Sequence, residues 1–330
     1  MAKLAVSEKD KKDLIKKHYR ILGNHGAVEI CTWTKRALRG QGVCYKEKFY
    51  GVDCHRCAQI TPLALWCDQN CVFCWRPMEN MNVLDVSEDD VDDPQKILDD
   101  VIPKRWNLLN GMKGNDKVDE KFAKDLKVPN HYAISLSGEP TLYPKLGEMV
   151  KLLRAKPEVR TIFIVTNGQN PEVLERLAND NALPTQLYVS LAAPNEKLFQ
   201  EINRSVRPDG WERLNRSLDL LGKLPTRTVV RLTVIKGIND ADEYLKDYAE
   251  IIGKSQADFV EIKSYMHIGY SQHRLEKKNM PTHEELREFA LRLEKILPDY
   301  GYSDEARLSR IVLLKNKKSK YENMIKPEEK

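Results

Sequence analysis

The residues with the clearest chemical potential are seven cysteines, all of which lie between Cys31 and Cys74. Three of them, Cys67, Cys71 and Cys74, have the spacing C-x3-C-x2-C, and Phe73 directly precedes the last. A [4Fe–4S] cluster ordinarily takes four cysteines, so three thiolates on one loop would leave one iron open to another ligand. A zinc site is the alternative, although zinc loops usually combine a C-x2-C pair with more distant ligands.

The other four cysteines precede that loop and allow two groupings. Cys31, Cys44 and Cys57 are evenly spaced as C-x12-C-x12-C and would form a second triad, with Cys54 left over. Alternatively, Cys54 and Cys57 form a C-x2-C pair that completes a four-cysteine zinc site with Cys31 and Cys44. An odd number of cysteines in one segment is not typical of a disulfide framework, which favours metal ligation in a reducing compartment.

Composition and length restrict the class of protein. The chain has 330 residues, of which 41% are hydrophobic and 31% charged, as expected for a folded globular protein. Its length suits two domains or one larger α/β unit. The amino terminus lacks the apolar core of a signal peptide, and no apolar run approaches the roughly 18 residues of a membrane-spanning helix, so we expect a cytoplasmic protein that uses no membrane. The net charge of +5 permits a nucleic-acid partner without requiring one.

The elements that must position the cysteines alternate between strands and helices from residue 60 onward. The predicted strands cover residues 60–65, 131–137, 161–166, 186–191, 227–235, 258–265 and 308–314. The predicted helices lie near residues 88–103, 143–155, 171–179, 210–222, 240–253 and 283–297. Because strands that alternate with helices form parallel sheets through right-handed crossovers, this order predicts an α/β fold in which six units close partly or fully into a barrel.

The flanking segments divide the chain into three predicted parts. Residues 7–22 predict an amphipathic helix, and residues 23–59 lack periodicity, which indicates an irregular segment ordered by a metal. We therefore assign residues 1–59 to an extension around the upstream cysteines, residues 60–300 to the barrel, and residues 301–330 to a final strand and a basic tail.

Four of the predicted strands carry polar residues on one face. Arg231 shares a face with Thr233, Glu261 shares one with Lys263, and Ser190 lies opposite apolar neighbours, as do two serines of the 131–137 strand. A parallel strand that is buried on both faces is normally apolar throughout. The polar faces therefore predict a lumen that holds a ligand, with a solvent-exposed sheet face as the alternative.

The cysteine loop resembles the signature of the radical S-adenosylmethionine (radical SAM) superfamily, in which C-x3-C-x2-C follows the first strand of a TIM-like (β/α)6 barrel. The run 137–140 (SGEP) resembles the GGE-type motif of that superfamily, with Ser137 in place of its first glycine. The resemblance implies that a [4Fe–4S] cluster on the loop binds and cleaves SAM. It implies SAM contacts at the SGEP run and at strand ends, namely Ser137, Gly138, Glu139, Thr166, Asn167 and Ser190. The aromatic residues of the loop and the polar lumen add further candidates for cofactor binding, namely Phe73, Trp75, Arg231, Glu261 and Lys263.

A narrower resemblance covers residues 20 to 315. The runs 44–51 (CYKEKFYG), 51–62 (GVDCHRCAQITP), 71–77 (CVFCWRP) and 136–144 (LSGEPTLYP), with the C-x12-C-x12-C spacing, resemble the archaeal tRNA 4-demethylwyosine synthases of the wybutosine pathway. This resemblance implies a second [4Fe–4S] cluster on Cys31, Cys44 and Cys57. It implies that N1-methylguanosine next to the anticodon of tRNA(Phe) is condensed with pyruvate to form 4-demethylwyosine.

The same resemblance bears on partners. Eukaryotic members carry an additional FMN domain, for which this chain has no room, so we expect an external electron donor such as a flavodoxin or ferredoxin. We also expect a monomer. The alternatives are another two-cluster radical SAM enzyme that acts on a small molecule or a protein, and a zinc-stabilised RNA-binding protein without catalysis.

Lys46 is the candidate catalytic residue, because it lies two residues after Cys44. A lysine beside a desolvated site can form a Schiff base, here with pyruvate. The alternative is a lysine that faces solvent or phosphate, with Lys48 just beside it, in which case pyruvate would bind the open iron of the second cluster. For phosphate contacts with tRNA, the candidates are Arg36, Arg39, Arg76, Lys315, Lys317 and Lys318.

Overall fold

The computed structural model describes residues 4–77, 86–110, 118, 122 and 125–329. Its first helix, α1 (Glu8–Lys16), begins at Ser7, whose hydroxyl accepts a hydrogen bond from the backbone N–H of Asp10 at 3.1 Å. The helix ends early because His18 adopts a left-handed conformation, with φ of 64°. The chain continues as a strand, so the predicted helix over residues 7–22 is wrong in its second half.

One sheet contains all ten strands of the described residues, in the order β1-β2-β3-β4-β5-β6-β7-β8-β10-β9. The strands are β1 (Tyr19–Leu22), β2 (Gly26–Glu29), β3 (Cys57–Thr61), β4 (His131–Ile134), β5 (Thr161–Thr166), β6 (Gln186–Leu191), β7 (Arg227–Val234), β8 (Phe259–Ser264), β9 (Tyr300–Ala306) and β10 (Ile311–Asn316). Strands β3 to β8 pair in parallel. The pairs at both edges are antiparallel, and β1 does not pair with β9, so the six parallel strands form a partial barrel, as predicted.

Helices lie between these strands. They are α2 (Thr32–Leu38), α3 (Tyr45–Tyr50), α4 (Pro94–Leu109), α5 (Leu146–Ala155), α6 (Pro171–Asn179), α7 (Glu196–Ile202), α8 (Gly210–Leu220), α9 (Leu245–Ser255) and α10 (His283–Glu294). Proline sets the first helical position of α4 and of α6, where its missing N–H costs nothing. No helix of the described residues is long and apolar enough to cross a membrane.

The two faces of the sheet are buried in different ways. The outer face, represented by Val230 and Leu232 of β7, packs in the main core with the helices. The inner face forms a second, aromatic cluster with α3, which consists of Tyr45, Phe49, Tyr50, Val52, Phe163, Tyr188, Val229, Phe259, Ile311 and Leu313. Helix α3 thus fills the part of the lumen nearer the amino ends of the strands.

Toward the carboxyl ends of the strands, the inner face remains open. Along β3 and β5 to β8, and just after β4, the inward-facing residues are half-buried, whereas the outward-facing residues next to them in the chain are fully buried. The inward-facing residues are Gln59, Ser135, Val165, Ser190, Arg231, Thr233 and Lys263. We call the space lined by these residues the chamber. Its existence agrees with the polar lumen predicted from the sequence, because the polar faces of the strands line it.

Candidate active site

The cysteine loop leaves β3 earlier than predicted, because Pro62 has no N–H with which to continue the ladder. The loop is then fixed by hydrogen bonds. The backbone N–H of Asn70 donates to the Asn203 carbonyl at 3.0 Å, and that of Val72 donates to the Ile202 carbonyl at 2.8 Å. The Arg274 guanidinium donates to the carbonyls of Val72 and Cys74. These hydrogen bonds therefore hold the loop on the segment after α7.

The three thiols of this loop lie together in a half-buried position. Amide donors point at two of them: Asn167 Nδ2 lies 3.8 Å from Cys67 Sγ, and Asn203 Nδ2 lies 3.8 Å from Cys71 Sγ. Burial raises the pKa of the Cys67 and Cys71 thiols, and Cys74 raises that of Cys71 further. Three converging thiols with N–H donors suit a group that binds them as thiolates, as an iron–sulfur cluster does.

The SGEP run docks directly onto the cysteine loop. Gly138 has a φ of 69°, and a Cβ there would clash with the Leu63 carbonyl oxygen and lie 2.7 Å from that of Trp66. Glu139 N donates to the Trp66 carbonyl at 2.7 Å, and Ser137 Oγ donates to the carbonyl of Ala64 at 2.6 Å. Ser137 therefore does structural work at the position where the related motif has glycine.

Glu139 joins two strand ends. Its buried carboxylate accepts hydrogen bonds from the hydroxyls of Thr141 and Thr166, both at 2.6 Å, and from Asn167 N at 2.8 Å. Burial, followed by the nearby Asp68 carboxylate, raises the pKa of Glu139 to about 7. The predicted residues 137–139, 166 and 167 thus form one connected network beside the cysteine loop.

Sequence reasoning missed the residues that extend this network. Asp68 is buried and accepts from Asn167 Nδ2 at 2.7 Å and from Arg207 Nε at 3.0 Å. Asn203 and Arg274 hold the loop itself. Asp68 lies inside the cysteine motif and could have been noticed, whereas Asn203, Arg207 and Arg274 belong to no motif and are brought in by the tertiary fold.

The second triad gathers residues from three separate elements. Cys31 caps α2, with its sulfur accepting from Thr34 N at 3.4 Å, Cys44 precedes α3, and Cys57 begins β3. Burial raises the pKa of Cys44 to about 11 and that of Cys57 to about 12, and the Cys31 thiol is the next largest cause in each case. The charge of a deprotonated Cys31 therefore acts on both of the other sulfurs, which indicates that the three lie near one another.

Cys54 differs from these three cysteines. Its side chain is 3% exposed, and its sulfur accepts a hydrogen bond from Cys44 N at 3.5 Å. The contrast supports the division into two triads and one buried thiol. In the described ranges, no three histidine, cysteine or carboxylate side chains are grouped so as to hold a single metal ion.

Lys46 lies on the chamber side of α3, next to the second triad. It is half-buried, and its Nζ lies 4.8 Å from the centre of the Phe163 ring and 5.6 Å from that of Tyr188. Burial, followed by the charge of Arg231, lowers the pKa of Lys46. Lys48 instead forms an ion pair with Asp304 at 2.8 Å on the exposed side of the helix. The solvent-facing alternative therefore describes Lys48 and does not describe Lys46.

Three residues predicted to bind a cofactor, Arg231, Glu261 and Lys263, lie with α3. Arg231 donates through Nε and Nη2 to Glu261 Oε2 at 3.0 and 2.8 Å, and Tyr50 donates to Glu261 Oε1 at 2.8 Å. Lys263 Nζ donates to the Ser309 carbonyl at 3.0 Å, and burial, followed by the charge of Arg231, lowers its pKa to about 8. The structure brings these three together with Lys46, and their hydrogen bonds do not reach residues 137–139.

The other predicted cofactor contacts are placed less specifically. Ser190 lines the chamber, and Phe73 is half-buried against the main core. Trp75 is 40% exposed beside the cysteine loop, and its ring centre lies 3.6 Å from the guanidinium carbon of Arg76.

The predicted tRNA contacts fall into different parts of the molecule. Arg76 is buried and forms an ion pair with Glu29 at 3.1 Å, so it is not presented to a phosphate in this structure. The C-terminal lysines lie at the opposite end of the barrel from the cysteine loop, because Lys315 pairs with Phe259 at the start of β8. Arg36 and Arg39 lie on and just after α2, next to the second triad.

Comparison with known proteins adds independent findings. Residues 61–249 match the family described as "Radical SAM superfamily", and residues 254–316 match the one described as "Wyosine base formation". The chain is 48% identical over 299 residues to the S-adenosyl-L-methionine-dependent tRNA 4-demethylwyosine synthase of Pyrococcus horikoshii, an alignment that covers 91% of this chain and 86% of that protein. It is 38% identical over 322 residues to the protein of the same name from Methanocaldococcus jannaschii, covering 96% and 98%.

Solved structures agree with the sequence matches. One described as "Structure of TYW1 with a lysine-pyruvate adduct bound" has a TM-score of 0.86 and 35% identity, and the match covers 98% of this chain and 100% of that one. The structural match extends over 98% of the chain, so it includes both the barrel and the upstream cysteines. The chain therefore belongs to the family of S-adenosyl-L-methionine-dependent tRNA 4-demethylwyosine synthases, and it is a radical SAM enzyme.

Proposed function

We propose that this chain condenses N1-methylguanosine, next to the anticodon of tRNA(Phe), with pyruvate to form 4-demethylwyosine, and that it uses two [4Fe–4S] clusters to do so. The relatives are named for this product. The observation that carries the proposal is the arrangement around the chamber. The half-buried Lys46 lies beside Cys31, Cys44 and Cys57, and the hydrogen-bond network around Glu139 lies beside Cys67, Cys71 and Cys74.

The SAM side of the site consists of the cysteine loop and the network around Glu139. A [4Fe–4S] cluster bound by Cys67, Cys71 and Cys74 would supply the electron that cleaves SAM. The protein's part is positioning: Asn167 and Asn203 direct N–H donors at two thiols, and Gly138 lets the backbone of the SGEP run approach the loop. The hydrogen bonds from Asn70, Val72 and Arg274 hold the loop in place for this role.

The pyruvate side consists of Lys46 and its surroundings. In the proposed step, the Lys46 amine attacks the ketone carbon of pyruvate, the carbon–nitrogen bond forms, and the ketone oxygen leaves as water. The aromatic floor of Phe163 and Tyr188 excludes bulk water from the amine. A related structure is described as having a lysine-pyruvate adduct bound, which supports a covalent role for a lysine in this family. The second cluster, on Cys31, Cys44 and Cys57, is proposed to lie next to this adduct.

The partners follow from the same proposal. The substrate is tRNA, and its target base must leave the anticodon stack to enter the chamber. We propose an external electron donor such as a flavodoxin or ferredoxin, a monomeric enzyme and a cytoplasmic location.

A direct experiment tests this function. The anaerobically reconstituted protein is incubated with tRNA(Phe) that carries N1-methylguanosine, SAM, pyruvate and a chemical reductant, and the nucleosides are then analysed by mass spectrometry. We expect 4-demethylwyosine, and we expect none when pyruvate is omitted. If SAM is cleaved while the methylguanosine stays unchanged with pyruvate present, the proposed substrate is wrong.

A further inference from the structure

We infer that Arg231 and Lys263, on the neighbouring strands β7 and β8, form a binding subsite for the carboxylate of the 2-oxo acid beside Lys46. The inference rests on the proposed function, because it assumes that pyruvate reacts at Lys46. It deepens that function by assigning which side chains distinguish a 2-oxo acid from a neutral ketone.

The three cations surround two tyrosine rings at the inner end of the chamber. The guanidinium carbon of Arg231 lies 4.5 Å from the centre of the Tyr188 ring, and Lys46 Nζ lies 5.6 Å from the same centre. Arg231 and Lys263 share the Tyr45 ring, at 5.9 and 5.7 Å. A molecule bound covalently to Lys46 would therefore have two further cations within reach.

The balance of charge in this group favours an anion. Glu261 is the one carboxylate paired with these cations among the described residues, and both of its oxygens are already used, by Tyr50 and by Arg231. Three cations and one carboxylate leave an excess positive charge in a half-buried space, where it costs free energy unless an anion joins it.

The orientation of Arg231 leaves one edge of its guanidinium available. Its Nε and Nη2 atoms donate to Glu261 and Tyr45, whereas its Nη1 atom has no hydrogen-bond partner in the described part of the chain. Both Arg231 and Lys263 belong to the half-buried residues that line the chamber. Charged hydrogen bonds from such donors are the usual means of holding a small carboxylate.

The second triad offers a competing explanation for the cations. The Cys44 and Cys57 thiols interact electrostatically with Lys46, and Cys44 also does so with Lys263. The lysines could then serve only to balance thiolates bound to iron. The two explanations differ in what is lost when Lys263 is removed, namely pyruvate affinity in the first case and iron in the second.

Reductive trapping separates these possibilities without measuring turnover. The anaerobic holoprotein is incubated with increasing pyruvate, or with the neutral ketone hydroxyacetone, in the presence of cyanoborohydride, and the adduct on Lys46 is quantified by peptide mass spectrometry. For Lys263→Met, we expect the pyruvate concentration for half-maximal trapping to rise at least about tenfold. Trapping of hydroxyacetone and the iron content should stay unchanged.

Two further variants keep the test decisive. Lys48→Met removes a lysine from the opposite side of α3 and should behave as wild type with both ketones. Arg231→Lys keeps the charge that Glu261 requires but loses the guanidinium edge, so it should also weaken pyruvate trapping selectively.

The possible outcomes are distinct. If Lys263→Met and Arg231→Lys trap both ketones as wild type does, or lose both equally, the carboxylate subsite is wrong. If Lys263→Met loses iron together with pyruvate trapping, the cations balance the cluster and the inference also fails. If the wild-type protein traps no pyruvate at all, the proposed role of Lys46 fails as well.

Discussion

Lys46 and Lys48 stand two positions apart on α3 and have opposite surroundings. Two helical positions correspond to a rotation of roughly 200°, so one amine faces the chamber while the other pairs with Asp304 at the surface. The same short helix starts directly after Cys44, which ties Lys46 to the second triad. Proximity to both the aromatic floor and the thiols is what makes Lys46, and not its neighbour, the candidate for covalent chemistry.

This contrast leads to a prediction about Lys46. Lys46→Ala should reduce 4-demethylwyosine formation by about 100-fold or more, because the amine that positions pyruvate is lost. Cleavage of SAM to 5′-deoxyadenosine should continue, since the cysteine loop is untouched. Lys48→Ala is the matched control and should stay within twofold of wild type, a factor of about two being within ordinary experimental scatter. Full product formation by Lys46→Ala would remove the residue from the mechanism.

Gly138 is the second residue with a specific structural requirement. Because its φ is 69° and a Cβ would clash with Leu63 and Trp66, Gly138→Ala should lower the free energy of unfolding by at least about 2 kcal/mol in urea titrations. It should also separate the SGEP run from the cysteine loop. Gly253→Ala is the control, since Gly253 lies inside α9 with nothing within 4 Å of a Cβ, and should stabilise by about 0.5–1 kcal/mol. Equal effects at both positions would contradict the strain argument.

At the scale of elements, a buried histidine joins β2, the cysteine loop and the start of α4. The backbone N–H of Asp92 donates to His25 Nε2 at 2.7 Å, so that nitrogen carries no proton, and the Nδ1–H donates to the Pro62 carbonyl at 2.6 Å. Burial lowers the pKa of His25 below its ordinary 6.5, and the nearby Asp92 carboxylate offsets this only in part. The junction therefore requires a neutral imidazole.

The junction predicts a specific dependence of stability on pH. Below pH 6.5 the unfolded chain binds a proton at His25 that the native state does not, so the free energy of unfolding should fall by up to about 1.4 kcal/mol per pH unit as the pH decreases toward the lowered native pKa. Above pH 6.5 this contribution should be constant. Urea unfolding of wild type and His25→Gln between pH 5 and 8 measures it. If the free energy of unfolding of His25→Gln falls as steeply below pH 6.5 as that of wild type, groups other than His25 cause the dependence.

The sequence predicted the central elements well and the flanking ones poorly. The predicted strands at residues 161–166 and 186–191 coincide with β5 and β6, because each contains a short run rich in β-branched and aromatic residues, 161–165 and 187–189, which favours a strand. Strand β9 is polar and exposed, so its residues show no pattern until β10 pairs with it. The predicted last strand at residues 308–314 is displaced for a related reason, since a turn occupies Arg307–Ser309 and β10 begins at Ile311.

The residues of the candidate site also differ in how well the sequence predicted them. Cys67, Cys71 and Cys74 lie within eight residues of one loop, so their spacing alone led to the prediction of a triad. Cys31, Cys44 and Cys57 come from three elements, and their spacing left a four-cysteine zinc site as an alternative, so their prediction depended on the family resemblance. The residues around them, such as Asn203, Arg207 and Arg274, come from distant segments, and their individual side chains resemble many others. Lys46 was predicted in part. Its position two residues after Cys44 suggested a catalytic role, but only the fold shows that Lys46 faces the chamber and Lys48 does not.

At the scale of the whole molecule, the two ends of the barrel are different. The carboxyl ends of the strands carry the cysteine loop and the open chamber, whereas the amino ends are filled by α3 and its aromatic cluster. Near the chamber opening, the segment after α2 approaches the turn before β10, since a Cβ on Gly42 would lie 3.6 Å from Leu308. Arg36 lies on α2 and Arg39 directly follows it, and α2 packs through Leu38 against Leu109 and Leu126, whereas Lys315 lies on β10 opposite the start of β8.

The position of Arg36 and Arg39 next to the second triad predicts where tRNA binds. The combined Arg36→Ala and Arg39→Ala protein should bind tRNA more weakly and with a salt dependence shallower by about two charges, because two phosphate contacts are lost. The triple alanine variant at Lys315, Lys317 and Lys318 should bind as wild type does, since these residues lie away from the chamber. Titrations of labelled tRNA at several salt concentrations compare the two. Weaker binding by the triple variant alone would place the tRNA at the C-terminal lysines and contradict this prediction.

The central claim is that the cysteines form two cluster-binding triads at one chamber. Its most direct test is an anaerobic count of iron and sulfide per chain, on the wild-type protein and on the combined Cys31→Ser, Cys44→Ser and Cys57→Ser variant. The claim predicts about eight irons for wild type and about four for the variant, which should still cleave SAM. About four irons in the wild-type protein, or an unchanged count in the variant, would contradict it.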